Sequence, residues 1–429
     1  MCIYALIAKS NNLITNKKNN MKPTTSKVLS LLAVFAAAGS THAQENINSI
    51  EELDSSSVVG NTERLFRLAG SAAYLDNKAL NRQHSTNINQ IVARVPGVFA
   101  RDETGTGFFP NLSIRGADGV RMDRTTVMED GILMAPAPYS APSAYYSPKV
   151  GRMRGLEILK GSSQVKFGPQ TTGGVINYLS TEIPEEETFY TKFLYGSNND
   201  ILAHTYYGNT LDTGNGKFGY LLEMFYDGSD GFRDVQSTPE NSNPKDTGHS
   251  LIEPMLKLSW EPDTAMKQKF EFRYGFSDLD ANESYLGLTD DDARNNPDMR
   301  YAGSRFDNIT TQHHRTHLKY SFAPTENLSF NTTAYFNQFE RNWYKLNKVG
   351  AGRSSLHTVI GDPAGNATEF GILNGTTAGA LDVKANARTY ESYGLQFAGR
   401  YSFEAMNAKN ELDFGVRLHK DYIKRNQFA

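Results

Sequence analysis

The sequence predicts an α+β plug domain followed by a transmembrane antiparallel β-barrel. Three observations predict it. A Gly- and Pro-punctuated segment runs to about residue 186. After it, short stretches alternate apolar and polar residues to the end of the chain, and the connections between them alternate short and long. In KFEFRYGF (269–276), Phe270, Phe272, Tyr274 and Phe276 share one face while Glu271 and Arg273 take the other. A compact domain ahead of many such strands implies a plug inside a barrel, and so a gated importer rather than an enzyme.

Composition narrows the class. A chain of 429 residues has room for more than one domain. A net charge of −3 gives no global attraction to nucleic acid. Mean hydropathy is −0.51 and no apolar run is long enough for a spanning helix. A barrel remains open, because only alternate residues of its strands face lipid. The single cysteine, Cys2, leaves no intrachain disulfide.

The first elements concern export. Residues 1–20 fit no export pattern and read as a non-native upstream extension, with synthesis expected to start at Met21. Residues 21–43 read as a signal peptide: Lys22 and Lys27 are basic, Val28–Ala38 is apolar, and Thr41-His42-Ala43 is a cleavage site. Residues 44–60 are polar and aperiodic, as in a flexible tether.

Residues 61–184 form the expected plug. STNINQIVARVPGV (85–98) reads as a short helix capped by Ser85 or Thr86 and stopped at Pro96-Gly97. LSIRG (112–116), TTVMEDGIL (125–133) and GLEILKG (155–161) read as strands ending in Gly turns. The four prolines of MAPAPYSAPSAYYSP (134–148) exclude helix and central strand, and imply a stiff ordered loop.

Residues 187–429 hold about nine alternating segments, near 188–195, 201–210, 217–227, 251–260, 268–277, 313–322, 327–340, 389–402 and 411–423. Short turns fall at 211–216, 261–267, 323–326 and 403–410, and long polar loops at 228–250, 278–312 and 341–388. Outer-membrane barrels show this alternation, with long loops outside, whereas a soluble sandwich has no need of it. An open sheet edge in lipid is costly, and plugged barrels use about 22 strands. The chain is therefore expected to be the N-terminal part of a longer protein.

These residues resemble TonB-dependent outer-membrane receptors, most closely the ferric-citrate branch. The carriers are VPGV (95–98), GTG (105–107), IRG (114–116), MEDGI (128–132), APYSAP (137–142), EILKG (157–161) and KFGPQTTGGVIN (166–177). Each is short, and their order and spacing together are specific. The resemblance runs from about Asp54 to the end, with most of its strength in 91–184. It implies a TonB box at Asp54, Ser55, Ser56, Ser57 and Val58, although the three serines depart from the usual apolar-containing box. An extended tether adds a strand to a partner's sheet edge, which suits this role.

The resemblance also implies the cargo: a ferric siderophore-type complex, ferric citrate or another carboxylate siderophore, with haem, cobalamin, a glycan or a truncated non-transporting product as alternatives. Anionic chelates need cationic donors, and arginine's planar fork matches carboxylates. Arg341 and Arg388 stand at the two feet of the 341–388 loop, where the ferric-citrate receptors place ligand-binding arginines, and Thr106 matches a ligand-facing plug threonine. Arg294, Arg300, Arg305 and Arg353 read as ordinary solvated loop charge. Ala141 stands where those receptors carry a ligand-contacting glutamine, which leaves the exact chelate open.

Other motifs imply less. His313 and His317 of HHRTH share a strand face but lie ~13 Å apart, too far to ligate one ion. No catalytic constellation assembles by spacing. The expected partners are TonB with its inner-membrane energy-coupling proteins, the ferric complex and outer-membrane lipid, with no nucleic acid. No resident cofactor is expected, since the iron travels within the cargo. The expected location is the outer membrane of a Gram-negative cell.

Overall fold

The computed structural model describes residues 70–428 except 84, 104, 240, 241, 243–245, 406 and 407, together with Leu65 and Leu68. The signal peptide, the tether and the Asp54–Val58 segment lie outside the described residues.

The plug is built on a five-stranded sheet. Its strands are β1 (Ala72–Leu75), β4 (Thr125–Glu129), β5 (Ile132–Leu133), β6 (Met153–Leu159) and β7 (Gly174–Ser180), in the order β1-β6-β7-β4-β5. Only β4 and β7 run parallel. A second pair, β2 (Val98–Ala100) with β3 (Leu112–Ile114), lies beside it. Two helices, α1 (Asn77–Gln83) and α2 (Ile88–Val92), complete the domain. Ile88, Ile91 and Val92 of α2 pack with Val127, Leu156, Ile158 and Ile176 of the sheet. The opposite sheet face buries Met128, Leu133, Leu159 and Val175.

Two expectations change here, and one strand is new. The cap of α2 is Asn87, not Ser85 or Thr86: its side chain accepts the Asn89 N–H, as an N-cap must. Residues 125–133 are not one strand. Asp130 and Gly131 both take positive φ, 51° and 77°, and fold the segment into the β4–β5 hairpin. Strand β7 has no alternation to announce it, because every one of its residues is buried.

Nine long strands follow as an antiparallel meander: β8 (Thr188–Tyr195), β9 (Ile201–Asp212), β10 (Gly216–Ser229), β12 (His249–Pro262), β13 (Lys267–Ala281), β15 (Asn308–Thr325), β16 (Leu328–Val349), β18 (Leu381–Ala405) and β19 (Ala408–Phe428). All nine expected segments are strands. Alternation drives the arrangement: Phe270, Leu318, Phe336, Leu395, Phe414 and Leu418 point outward and are exposed, as a lipid-facing band requires. Their neighbours point inward, among them Arg273 and Arg315, which are buried.

β16 and β18 span 22 and 25 residues, far beyond the ~10 needed to cross a bilayer. The expected 341–388 loop is thus shorter than its sequence suggests. It consists of strand extensions, the short strand β17 (Ser354–Ser355) and two helices, α3 (Leu356–Gly361) and α4 (Ala367–Asn374). Nor is it simply polar, since Leu346, Val349, Val359 and Leu373 bury together with Met299 and Tyr301 of the preceding loop.

The Pro-rich segment is ordered, as expected. The Asp421 carboxylate of β19 accepts the N–H groups of Tyr139 and Ser140, at 2.7 and 3.1 Å, and the Ser140 hydroxyl, at 2.6 Å.

Candidate functional site

Two charged regions mark where the plug meets the inner face of the sheet. The lower one starts from the β4–β5 hairpin, which projects Glu129 and Asp130. Arg152, just before β6, donates from Nη1 to Glu129 at 2.8 Å and from Nε to Glu253 of β12 at 2.6 Å. Arg273 of β13 bonds Glu129 and also Asp130, the latter at 2.6 Å. Arg315 of β15 lies 3.5 Å from Glu253, and Lys257 of β12 lies 3.6 Å from Asp130. Tyr146 of the Pro-rich loop adds a hydroxyl on Glu253 at 3.1 Å. Burial pushes the Glu129 carboxyl up, but the Arg152, Arg273 and Arg315 guanidinia outweigh it and hold it well below its usual range. This region fastens the plug to the wall.

The upper region is built differently. Arg341 lies within β16, directly opposite Arg388 of β18, which in turn opposes Arg425 of β19. Opposed residues share a face, and Arg341 is buried on the inner one. Three arginines therefore form a row across the wall. Among the described residues none of them has an ion-pair partner. The Nε and Nη1 groups of Arg341 are buried without a hydrogen-bond partner. Like charges side by side repel, and the cost falls chiefly on Arg341, since Arg388 is half-buried and Arg425 exposed.

Beneath the row lies an aromatic floor. The Arg341 guanidinium sits 3.7 Å from the Tyr145 ring centre. Trp343, two residues along β16 on the same face, stacks on Tyr285 at 4.5 Å and on Phe109 of the plug at 6.2 Å. Lys345 lies 4.0 Å from the Tyr285 ring. Arg121 of the plug is within 5.5–5.8 Å of Phe109, Tyr145 and Tyr285, and pairs with Glu103 at 2.9 Å. Its backbone has φ 50°, an uncommon conformation for a non-glycine residue. Burial raises the Tyr145 pKa, but the Arg341 charge prevails and lowers it overall.

Arg341 and Arg388 thus come together, though inside strands and not at the feet of a loop, because the strands continue past the bilayer. Thr106 does not join them directly. Its hydroxyl donates to Glu283 at 3.0 Å, and the Glu283 carbonyl accepts from the Trp343 indole at 3.4 Å. Arg425, Arg121 and Trp343 were missed. The alternation Arg341–Trp343 within ERNWY was a readable signal, whereas Arg425 needed the strand register. His313 faces inward between Tyr146 and Phe339.

A globular domain ion-paired to the inner face of a β-meander with short turns and long loops is the arrangement of a plug against part of a barrel wall. Residues 64–175 match the family model of the TonB-dependent Receptor Plug Domain. This segment is therefore a TonB-dependent receptor plug, and the strands after it have the fold of such receptors' barrels. Among solved structures, the ferric citrate transporter FecA in its unliganded form is similar with a TM-score of 0.65 and 21% identity, over 86% of this chain and 50% of that one. The ferric-catecholate import receptor Fiu of E. coli K12 gives 0.60 and 13%, over 83% and 50%. BauA, the ferric preacinetobactin receptor of Acinetobacter baumannii, gives 0.60 and 12%, over 84% and 48%. The chain spans about half the length of these structures.

Proposed function

We propose that the protein is an outer-membrane receptor that imports an anionic ferric siderophore-type complex, namely ferric citrate or another carboxylate chelate. The observation that carries this reading is the Arg341–Arg388–Arg425 row, which has no ion-pair partner among the described residues. Carboxylate oxygens on a chelate supply what the guanidinia lack, and paired N–H donors orient it. Arg341 and Arg388 are the ligand contacts on the wall, and Thr106 is one on the plug side. The similarity to transporters and receptors supports import over catalysis. Asp54–Val58 serves as the TonB box, and a TonB-driven pull on it displaces the plug. The signal peptide at 21–43 directs export. Tyr285, exposed and stacked on Trp343, favours a second reading in which the chelate carries aromatic rings.

The test is ferric citrate binding to the detergent-solubilised protein, read by tryptophan fluorescence. Arg341→Ala or Arg388→Ala is expected to weaken binding about 10- to 100-fold, the value of one or two charge-assisted hydrogen bonds. Deleting Asp54–Val58 is expected to abolish iron uptake in cells and leave this binding intact. Wild-type affinity in both arginine variants, or undiminished uptake in the deletion, sinks the reading.

A further inference from the structure

A cavity opens beside Thr106, with none of the three arginines of the row in its lining. Arg233, Glu283, Arg300, Arg305 and Asp307 line it. The loop arginines 300 and 305, which looked like solvated charge in the sequence, are half-buried here. Their backbone is held in place. The short strands β11 (Asp234–Val235) and β14 (Met299–Arg300) pair in parallel and tie two long loops together, with Val235 opposite Arg300. The Thr247 hydroxyl bonds both the N–H and the carbonyl of Arg233, at 3.1 and 2.9 Å. Met299 and Tyr301, flanking Arg300, are anchored in the apolar core of the loops.

The charges in this cavity do not match. Each carboxylate already has donors. Glu283 accepts from Thr106 at 3.0 Å. Asp307 accepts from the Ser284 hydroxyl at 2.7 Å and the Leu346 N–H at 2.6 Å. Asp246 accepts from the Asn282 amide at 2.9 Å. The guanidinia, by contrast, reach only carbonyls or rings. Arg300 Nη1 donates to the Met299 and Pro297 carbonyls, at 2.6 and 3.4 Å, and Arg305 Nη1 to the Ala302 carbonyl, at 3.0 Å. Arg233 lies 4.8 Å from the ring of its neighbour Phe232. None of the three has an ion-pair partner among the described residues. Burial lowers the Arg300 pKa to about 10, and the nearby Arg233 charge adds to this. Burial raises Asp307 to about 6 and also raises Glu283. The three guanidinia thus carry N–H donors that no carboxylate among the described residues meets at ion-pair distance.

We propose that this cavity is a second anion site, in which Arg233, Arg300 and Arg305 hold a carboxylate or phosphate oxyanion independently of the Arg341 row. The oxyanion is either a free anion or a carboxylate arm of the chelate. The site needs no iron, so it stands or falls apart from the importer reading.

The test uses the full chain in detergent with Arg341→Gln and Arg388→Gln, which disable the row. Inorganic phosphate and iron-free citrate are titrated by calorimetry. Binding is expected to persist, and to fall at least tenfold when Arg233→Gln and Arg300→Gln are added. Arg300→Lys, which keeps the charge but not the fork, is expected to fall between the two. Absence of binding in the row-disabled protein, or binding unchanged by the added substitutions, overturns the proposal. Unfolding midpoints of all variants are recorded, and none is expected to drop, since no ion pair is removed. Displacement of phosphate by ferric citrate assigns the site to the chelate's arm, and failure to displace it assigns the site to a free anion.

Discussion

Around Glu129 the wall and the plug answer each other charge for charge, while around Arg341 the wall offers guanidinia and the plug offers mainly rings. Both regions hold buried arginines, and both draw on arginines of neighbouring strands, although in the upper one Arg388 is half-buried and Arg425 exposed. In the lower region every carboxylate is met: Glu129 by Arg152 and Arg273, Asp130 by Arg273 and Lys257, Glu253 by Arg152 and Arg315. In the upper region Arg341 has Tyr145 and Trp343 within reach and, among the described residues, no carboxylate in ion-pair range. The contrast teaches that arginine content alone does not mark a ligand site. What marks it is the absence of an internal anion where burial makes one necessary.

Breaking the lower region should have the largest effect. Arg152→Ala leaves Glu129 and Glu253 buried with fewer cations, and is expected to cost about 3–5 kcal/mol, the usual penalty for breaking a buried pair. Denaturant unfolding in detergent, with hydrogen exchange of β4 and β6 as the local probe, checks it. Acid should act on the same region more gently. Glu129 has its folded pKa below the ordinary 4.5, so its contribution is fully present above that value and is lost as pH falls through the folded one. Proteolysis of the plug is expected to stay slow down to about pH 5 and to accelerate below it. The smallest effect sharpens the contrast. Arg341→Met keeps the apolar stem over Tyr145 and removes an unpartnered charge, so stability is expected to stay within about 1 kcal/mol of wild type. A loss as large as that of Arg152→Ala would mean that Arg341 is a fastener too.

Much of the barrel was legible because one face meets lipid and the other meets the plug, which writes a period of two into KFEFRYGF and ELDFGVRL. The signal faded where both faces became polar. Beyond Phe339 the outward residues are Glu340, Asn342 and Tyr344, so the outer half of β16 read as loop. It failed differently in β7, whose full burial erases alternation. The Asp130-Gly131 pair is a strong hairpin signal that was read as a strand end, although Glu129 and Asp130 owe their position to that turn. Arg341 and Arg388 were singled out through family resemblance, and the register sets them opposite each other. Their alignment with Arg425 was not legible, since cross-strand register is set by turns and bulges that no single segment reveals. The cavity by Thr106 was hidden for a similar reason: it is made by two loops far apart in sequence that meet through the pairing of Asp234–Val235 with Met299–Arg300 and the Asn282–Asp246 bond.

The arginine row also bears on how quickly a ligand arrives. Uncompensated positive charge on a concave, low-dielectric wall concentrates field lines into the opening above it and draws anions inward before any contact forms. Such steering reaches about one Debye length, roughly 10 Å at 0.1 M salt, and shrinks as salt rises. Capture should therefore be fast in dilute media and slow in saline ones, while the rate of escape, set by short contacts, changes little.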